Sequence, residues 1–319
     1  MKVFQVILKP RTGFGTPLKG DTLFGHLCWQ IYYDPKLLGF SLRELLKDYA
    51  NEPFMIVSCA YPYVKDSSAK GKIFLKRPSL PIHFLYRDKL SPEELIRDRK
   101  KLKRKNWFVF DPSVRNLLAI EYLEMEFVKD DEQVRASIHR ISGTTQEAPF
   151  GPYGVGKFWY LTDLVVFIAL RDGLKVEGVV EALRRIGKFG FGKDASCGWG
   201  KFEVLEAKEI DFYAEVNNFN AYYTLSPALP ERAYKAIYYE PFVRFGRHGD
   251  VLSVSKNPFK APVLVADSGA IFIPEDVEKR LYIGKAVCEV SAVNSATVMQ
   301  GYSIVIPVEV PHEFISPKV

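Results

Sequence analysis

The chain is poor in the features that most directly announce a chemistry. Its four cysteines, Cys28, Cys59, Cys197 and Cys288, lie far apart with no C-x-x-C pair. That excludes a disulfide framework and a cysteine-based zinc site, and a reducing cytosol is the expected compartment. The five histidines, His26, His83, His139, His248 and His312, have no mutual metal-ligand spacing, so no metal site is expected, and no cofactor. The most apolar stretch, residues 161–170, is interrupted by Asp163 and is far short of the ~20 residues a membrane helix needs. The N-terminal Met-Lys-Val-Phe-Gln-Val-Ile-Leu reads as a strand, too short for a signal h-region. Ser196-Cys197 has no G-x-S-x-G elbow around it, which leaves no evident nucleophile.

What is present is an ordinary globular composition. With 319 residues, 47% of them hydrophobic and 26% charged, the chain is long enough for two domains with real cores. The net charge of +6 is concentrated. Between Arg97 and Lys105 seven basic residues (Arg97, Arg99, Lys100, Lys101, Lys103, Arg104, Lys105) stand against Asp98 alone, so the remainder of the chain is formally neutral. Ser91-Pro92-Glu93-Glu94 reads as an N-cap, an N1 proline and a capping-box glutamate, which starts a helix running into this block. The block is either a solvated helix face or a phosphate-facing arm.

Hydrophobic periodicity divides the chain. A strand is expected over residues 3–9. A helix over 22–33 follows, with Asp21 as N-cap and Leu23, Phe24, Leu27 and Ile31 on one face. Another helix is expected over 41–49 and a buried strand over 54–60. Residues 121–128 and 132–141 read as strands around a Lys129-Asp130-Asp131 turn. Residues 142–156 read as a loop, 158–170 as one apolar strand, 176–188 as an amphipathic helix and 202–212 as a strand. Beyond that, short strands with Gly, Pro and Asn breakers dominate, 237–245 among them. The pattern predicts an α+β protein of two ferredoxin-like or RRM-like domains, residues 1–210 and 211–319, the first carrying a glycine-rich loop.

That loop is the most specific feature: Gly190-Phe191-Gly192-Lys193-Asp194-Ala195-Ser196-Cys197-Gly198-Trp199-Gly200, two Gly-aromatic-Gly triplets five residues apart. Glycines permit φ > 0 and close approach of another chain, and successive exposed N–H groups make an anion-binding concavity. It is neither a P-loop, since Lys201 is followed by Phe202, nor a dinucleotide fingerprint, which must follow a strand and open a helix. A tight packed turn is the other reading.

The spacing of the two triplets resembles the glycine-rich loop of the CRISPR-associated RAMP proteins. Three further segments narrow the resemblance to subunit four of type III-A Csm effector complexes. These are Gly20-Asp21-Thr22-Leu23-Phe24-Gly25-His26, His139-Arg140-Ile141-Ser142-Gly143-Thr144-Thr145, and Lys256-Asn257-Pro258-Phe259-Lys260 with Ala266-Asp267-Ser268-Gly269 and Gly301-Tyr302-Ser303-Ile304. The resemblance implies a noncatalytic subunit that grips the 5′ handle of CRISPR RNA (crRNA). It implies docking to the large polymerase/nuclease subunit and the first backbone RAMP subunit, with no membrane. It assigns RNA contacts to Arg11, Lys19, His26, Arg140, Ser142, Thr144, Gly190, Gly192, Lys193, Ser196, Gly198, Trp199, Gly200 and Arg247. It also implies a β-hairpin thumb, at 67–76 or at 142–157.

Two other functions stay open on the residues. His26 is the residue a metal-independent crRNA-processing endoribonuclease would use as general base, although no Tyr/Lys/His set near it in sequence completes a site. The equivalent subunit of a type III-B (Cmr) complex shares the glycine loop but departs from the first-helix segment.

Overall fold

In the computed structural model, residues 1–65, 71–145, 151–214, 216, 218–231 and 233–311 are described. Strand β1 (Lys2–Pro10) leads through a Gly/Pro loop into helix α1 (Gly20–Tyr33). Helix α2 (Leu42–Leu46) follows, opened by the Ser41/Glu44 capping box, and then strands β2 (Met55–Val57), β3 (Tyr61–Lys65) and β4 (Gly71–Lys76). Three short helices, α3 (Ile82–Tyr86), α4 (Pro92–Arg97) and α5 (Arg99–Arg104), precede β5 (Trp107–Val109). Strands β6 (Val128–Arg135) and β7 (Tyr153–Tyr160) make a ribbon of their own. Then come β8 (Asp163–Leu170), helix α6 (Val176–Phe189) and β9 (Phe202–Ile210).

The first sheet runs β5-β4-β3-β8-β1-β9, with β2 also paired to β8, and its ladders are antiparallel. Taking β1, α1, β2/β3, β8, α6 and β9 in turn gives β-α-β-β-α-β, the ferredoxin-like order. Strand β8 is buried along nearly its whole length. It lies between β1 and β2/β3 in the sheet, and the shared core joins α1 and α6 with Ile304, Ile306 and Val308 of the second sheet. An uninterrupted apolar run fits a strand covered on both faces.

After β10 (Ala221–Thr224) come β11 (Tyr234–Tyr238), β12 (Pro241–Arg244), β13 (Val263–Ala266), β14 (Ile271–Pro274), β15 (Tyr282–Gly284) and β16 (Tyr302–Val308). Five of these form a sheet in the order β11-β14-β10-β16-β15, and β12 pairs with β13. The two sheets are tied by Gln300, fully buried. Its side chain accepts from Val57 N–H at 2.9 Å and donates to Val57 C=O at 2.8 Å.

Several local expectations are corrected. The Lys129-Asp130-Asp131 segment is no turn: β6 runs straight through it, paired with β7 from Val128↔Tyr160 to Arg135↔Tyr153. Charged side chains suit a turn, but they also suit a strand exposed on almost every residue, and only backbone groups are needed for the ladder. Residues 158–170 split into β7 and β8, and 237–245 into β11 and β12. The helix entering the basic block breaks at Asp98, where φ is −96° and ψ 9°. Asp21 is not the N-cap of α1. That position is Lys19, without a side-chain cap, because Asp21 is held by Arg244 through two bonds of 2.5 and 2.7 Å. A buried charge-assisted pair outweighs a cap.

Candidate nucleic-acid interface

Because Pro10 of β1 pairs with Phe202 of β9, the loop after the one and the loop before the other leave the sheet side by side. They are stitched together. Arg11 N–H donates to Lys201 C=O at 2.8 Å, Lys201 N–H to Thr12 Oγ1 at 2.9 Å, and Gly200 N–H to Gly13 C=O at 2.8 Å. Lys193 N–H donates to Thr16 Oγ1 at 2.9 Å. Phe14, fully buried, forms a two-bond bridge with Phe158 of β7, which brings in the ribbon.

The ribbon grips the glycine-rich loop through charge and ring. Arg135 lies 4.8 Å from the Trp199 ring and 3.1 Å from Asp194. Lys157 sits near both Trp159 and Trp199 and pairs with Asp131 at 3.2 Å. Trp159 Nε1 donates to Asp131 at 3.0 Å, and these two contacts hold the Asp131 carboxyl below the usual carboxylate range. Three segments distant in sequence thus share one corner.

Inside the loop the glycines divide into two kinds. Gly190, Gly192 and Gly200 have positive φ, and a Cβ on each would meet the protein itself: Trp199 C=O, the Thr16 side chain and the Phe191 backbone respectively. Gly198 also has positive φ, +90°, but a Cβ there would meet nothing within 4 Å. The backbone N–H groups of Gly190, Phe191, Lys193, Cys197, Gly198, Trp199 and Gly200 are spent on internal acceptors. Phe191 is fully buried and Trp199 nearly so. The loop is therefore anchored by its aromatics, and Lys193, Ser196 and Gly198 form its accessible crest.

The other residues expected at RNA fall in different places. Arg11 is exposed at the corner and pairs with Glu203 at 2.5 Å. Arg140, Ser142 and Thr144 lie exposed beyond β6, where Thr144 Oγ1 donates to Ser142 Oγ and Ser142 contacts His139 Nδ1 at 3.1 Å. Lys19 points into the protein, 2.7 Å from Asp267 and over the Phe242 ring. His26 stands behind the loop with its ring 4.5 Å from Phe191, and burial lowers its pKa to about 4. Arg247 lies on a separate turn, where it donates to Ser253 C=O and stands near the Phe259 ring. Of the two hairpins considered as a thumb, 67–76 falls on β3–β4 within the first sheet and 142–157 on the β6–β7 ribbon. Residues 66–70 and 146–150 lie outside those described.

The basic block lies elsewhere. It precedes β5, one edge strand of the first sheet, whereas the glycine-rich loop precedes β9, the other edge. Five interstrand gaps of about 4.8 Å put the edges on the order of 24 Å apart. The carbonyls ending α5 are met by the Arg77 guanidinium, at 3.0 Å from Leu102 and 3.2 Å from Lys105. Phe14 and Thr16 fall in the loop 13–20, which the resemblance also places along the handle backbone, and Asp194 in the glycine-rich loop, whereas Thr12 and Arg135 carry no expectation from the sequence. A cue existed for three of them: Thr12-Gly13-Phe14-Gly15-Thr16 is itself a Gly-aromatic-Gly triplet, flanked by hydroxyls.

The class defined here is an α+β protein with a ferredoxin-like sheet and a glycine-rich loop at the corner of its edge strand. No family model and no curated protein matches the sequence. Solved structures do match. A chain of the Csm1–Csm4 cassette in complex with cA4 superposes with TM-score 0.61 and 17% identity, covering 98% of this chain and 99% of that one. The cassette in complex with pppApA gives 0.58 and 18% over the same shares. A chain of the Csm3–Csm4 subcomplex of the type III-A CRISPR-Cas interference complex gives 0.52 and 13%, covering 97% and 100%.

Proposed function

We propose that this chain is a noncatalytic, RNA-binding subunit of a type III-A CRISPR effector complex, which grips the crRNA 5′ handle and docks the large subunit and the first backbone subunit. The fold likeness along essentially the whole chain to members of Csm1–Csm4 and Csm3–Csm4 assemblies supports that class. The observation that carries the RNA-binding part is the convergence of the loop after β1, the glycine-rich loop and the β6–β7 ribbon. It makes a rigid corner whose crest offers Lys193, Ser196 and Gly198, with Arg140, Ser142 and Thr144 exposed beyond β6. Single-stranded RNA presents phosphates, 2′-OH groups and base edges to such a surface.

The nuclease alternative is weakened by the setting of His26. A ring packed on Phe191, with its pKa pushed down to about 4, is a poor general base at neutral pH. The test has two arms. Expressed with the other subunits and a CRISPR array, the chain should copurify with discrete short RNAs. Alone, it should bind repeat-derived handle RNA without cleaving it, with or without Mg²⁺. Single-turnover cleavage lost on His26→Ala, in a variant that still folds, would restore the nuclease reading.

A further inference from the structure

A cleft of about 240 Å³ opens between α1, α2 and the loops 248–252 and 294–298, on a part of α1 that the RNA-facing corner does not use. Its walls are apolar: Trp29 and Tyr32 of α1, Leu42 and Leu46 of α2, and Leu252 and Val298. Two residues in it lack an internal explanation. The first is Gly25, in the middle of α1. Glycine is the least favourable ordinary residue in a helix interior. The other helical glycines are required by packing, since a Cβ on Gly20, Gly178 or Gly187 would strike the backbone of Val57, Leu37 or Phe202. A Cβ on Gly25 would meet nothing within 4 Å, so nothing among the described residues asks for glycine there.

The second is Lys260. Its stem packs over Gly246 and it lines the cleft, where burial lowers its pKa while the Asp21 carboxylate, itself bonded to Arg244, opposes that shift from beyond bonding distance. No carboxylate is within ion-pair distance of it among the described residues. Two of the lining side chains are apolar yet exposed, Tyr32 at 58% and Val251 at 61%. The cleft is smaller than the roughly 300–1,000 Å³ of small-molecule sites. A large side chain seated in a pocket and ringed by apolar contacts is the usual anatomy of a protein–protein anchor.

We propose that this cleft receives one large apolar side chain of a neighbouring protein subunit, with a carboxylate of the same segment meeting Lys260, and that Gly25 keeps the helix bare for its approach. The proposal rests on the reading of the chain as a subunit of an effector complex. RNA is disfavoured as occupant because the walls are mostly apolar and Lys260 is the one lysine or arginine among the residues that line them, too little positive charge for a phosphate backbone.

The experiment uses the assembled complex, purified through a tag on this chain, with wild type, Gly25→Ala, Gly25→Trp and Val251→Glu compared. Gly25→Ala should leave the chain at least as stable and lower the recovery of one protein subunit modestly, because its methyl group intrudes on the bared helix. Gly25→Trp fills the cleft and should reduce recovery of one protein subunit at least tenfold, with handle-RNA affinity and Tm of the isolated chain unchanged. Val251→Glu, on an exposed position that folding does not need, should weaken the same subunit in the same direction. A photo-crosslinker in place of Tyr32 should mark that subunit beside an apolar and an acidic residue. Normal assembly of both variants overturns the proposal. So does a loss that tracks RNA affinity, or a change confined to self-association. A wild-type chain that recovers RNA but no subunit overturns docking alone, and one that recovers neither overturns the complex assignment with it.

Discussion

Replacing Gly200 by alanine puts a Cβ against the amide and carbonyl of Phe191, in a backbone whose φ is +71°. The left-handed region alone costs a residue with a Cβ about 1–2 kcal/mol. The clash then opens the pair of bonds that close the corner, Phe191 N–H to Gly200 C=O at 3.0 Å and Gly200 N–H to Gly13 C=O at 2.8 Å. A buried group left without its partner costs about 1–3 kcal/mol, so the total loss is on the order of 2–5 kcal/mol. Gly198 is the control. Its Cβ position is open, and asparagine tolerates positive φ, so Gly198→Asn should shift stability by less than about 1 kcal/mol. If the crest touches RNA, the same variant should lose at least about tenfold in handle affinity, roughly the 1.4 kcal/mol of a weakened polar contact. Urea unfolding beside handle-RNA titration, on wild type and each variant, separates the two effects. Gly200→Ala at wild-type stability would refute the account of the corner. A Gly198→Asn protein that unfolds as readily as Gly200→Ala, or binds RNA normally, would refute the division into anchor and crest.

Other consequences are as definite. His26 has its folded pKa lowered toward about 4 from an unfolded value near 6.5. The unfolded chain therefore binds the proton first, and stability falls between pH 6.5 and 4 with a slope of at most about 1.4 kcal/mol per pH unit; urea midpoints across that range should flatten in His26→Leu. Arg244→Met strands Asp21, whose side chain is 4% exposed, and should cost about 3–5 kcal/mol in thermal or urea unfolding, with much of it recovered in Asp21→Leu/Arg244→Met. Gln300→Leu leaves both Val57 backbone groups unpaired in the core and should cost about 2–4 kcal/mol by the same measurement. Replacing Lys100, Lys101, Lys103 and Arg104 by alanine should leave the salt dependence of handle binding unchanged, because the block lies at the far edge of the sheet. A slope reduced by about 0.7 per lost phosphate contact would place RNA there after all.

The sequence by itself carried whatever depends on neighbours along the chain. Periodicity located α1 and α6, an apolar run marked the stretch holding β8 without its boundary with β7, the Ser91 capping box formed as expected, and the doubled Gly-aromatic-Gly spacing marked the loop that proves to be the corner of the edge strand. Tertiary structure decided what depends on neighbours in space. The Asp21 carboxylate reads as a cap until Arg244, 223 positions away, takes it, and Lys19 reads as a free cation until Asp267 folds against it. The β6 charges read as a turn until β7 pairs with them, since a strand exposed on both faces shows no alternation. The glycines look alike in sequence, yet Gly200 is fixed by Phe191, Gly198 faces open space and Gly25 faces a cleft. A missing side chain leaves no periodic trace, so only the surroundings of the absent Cβ reveal which glycine serves packing and which leaves room for something else.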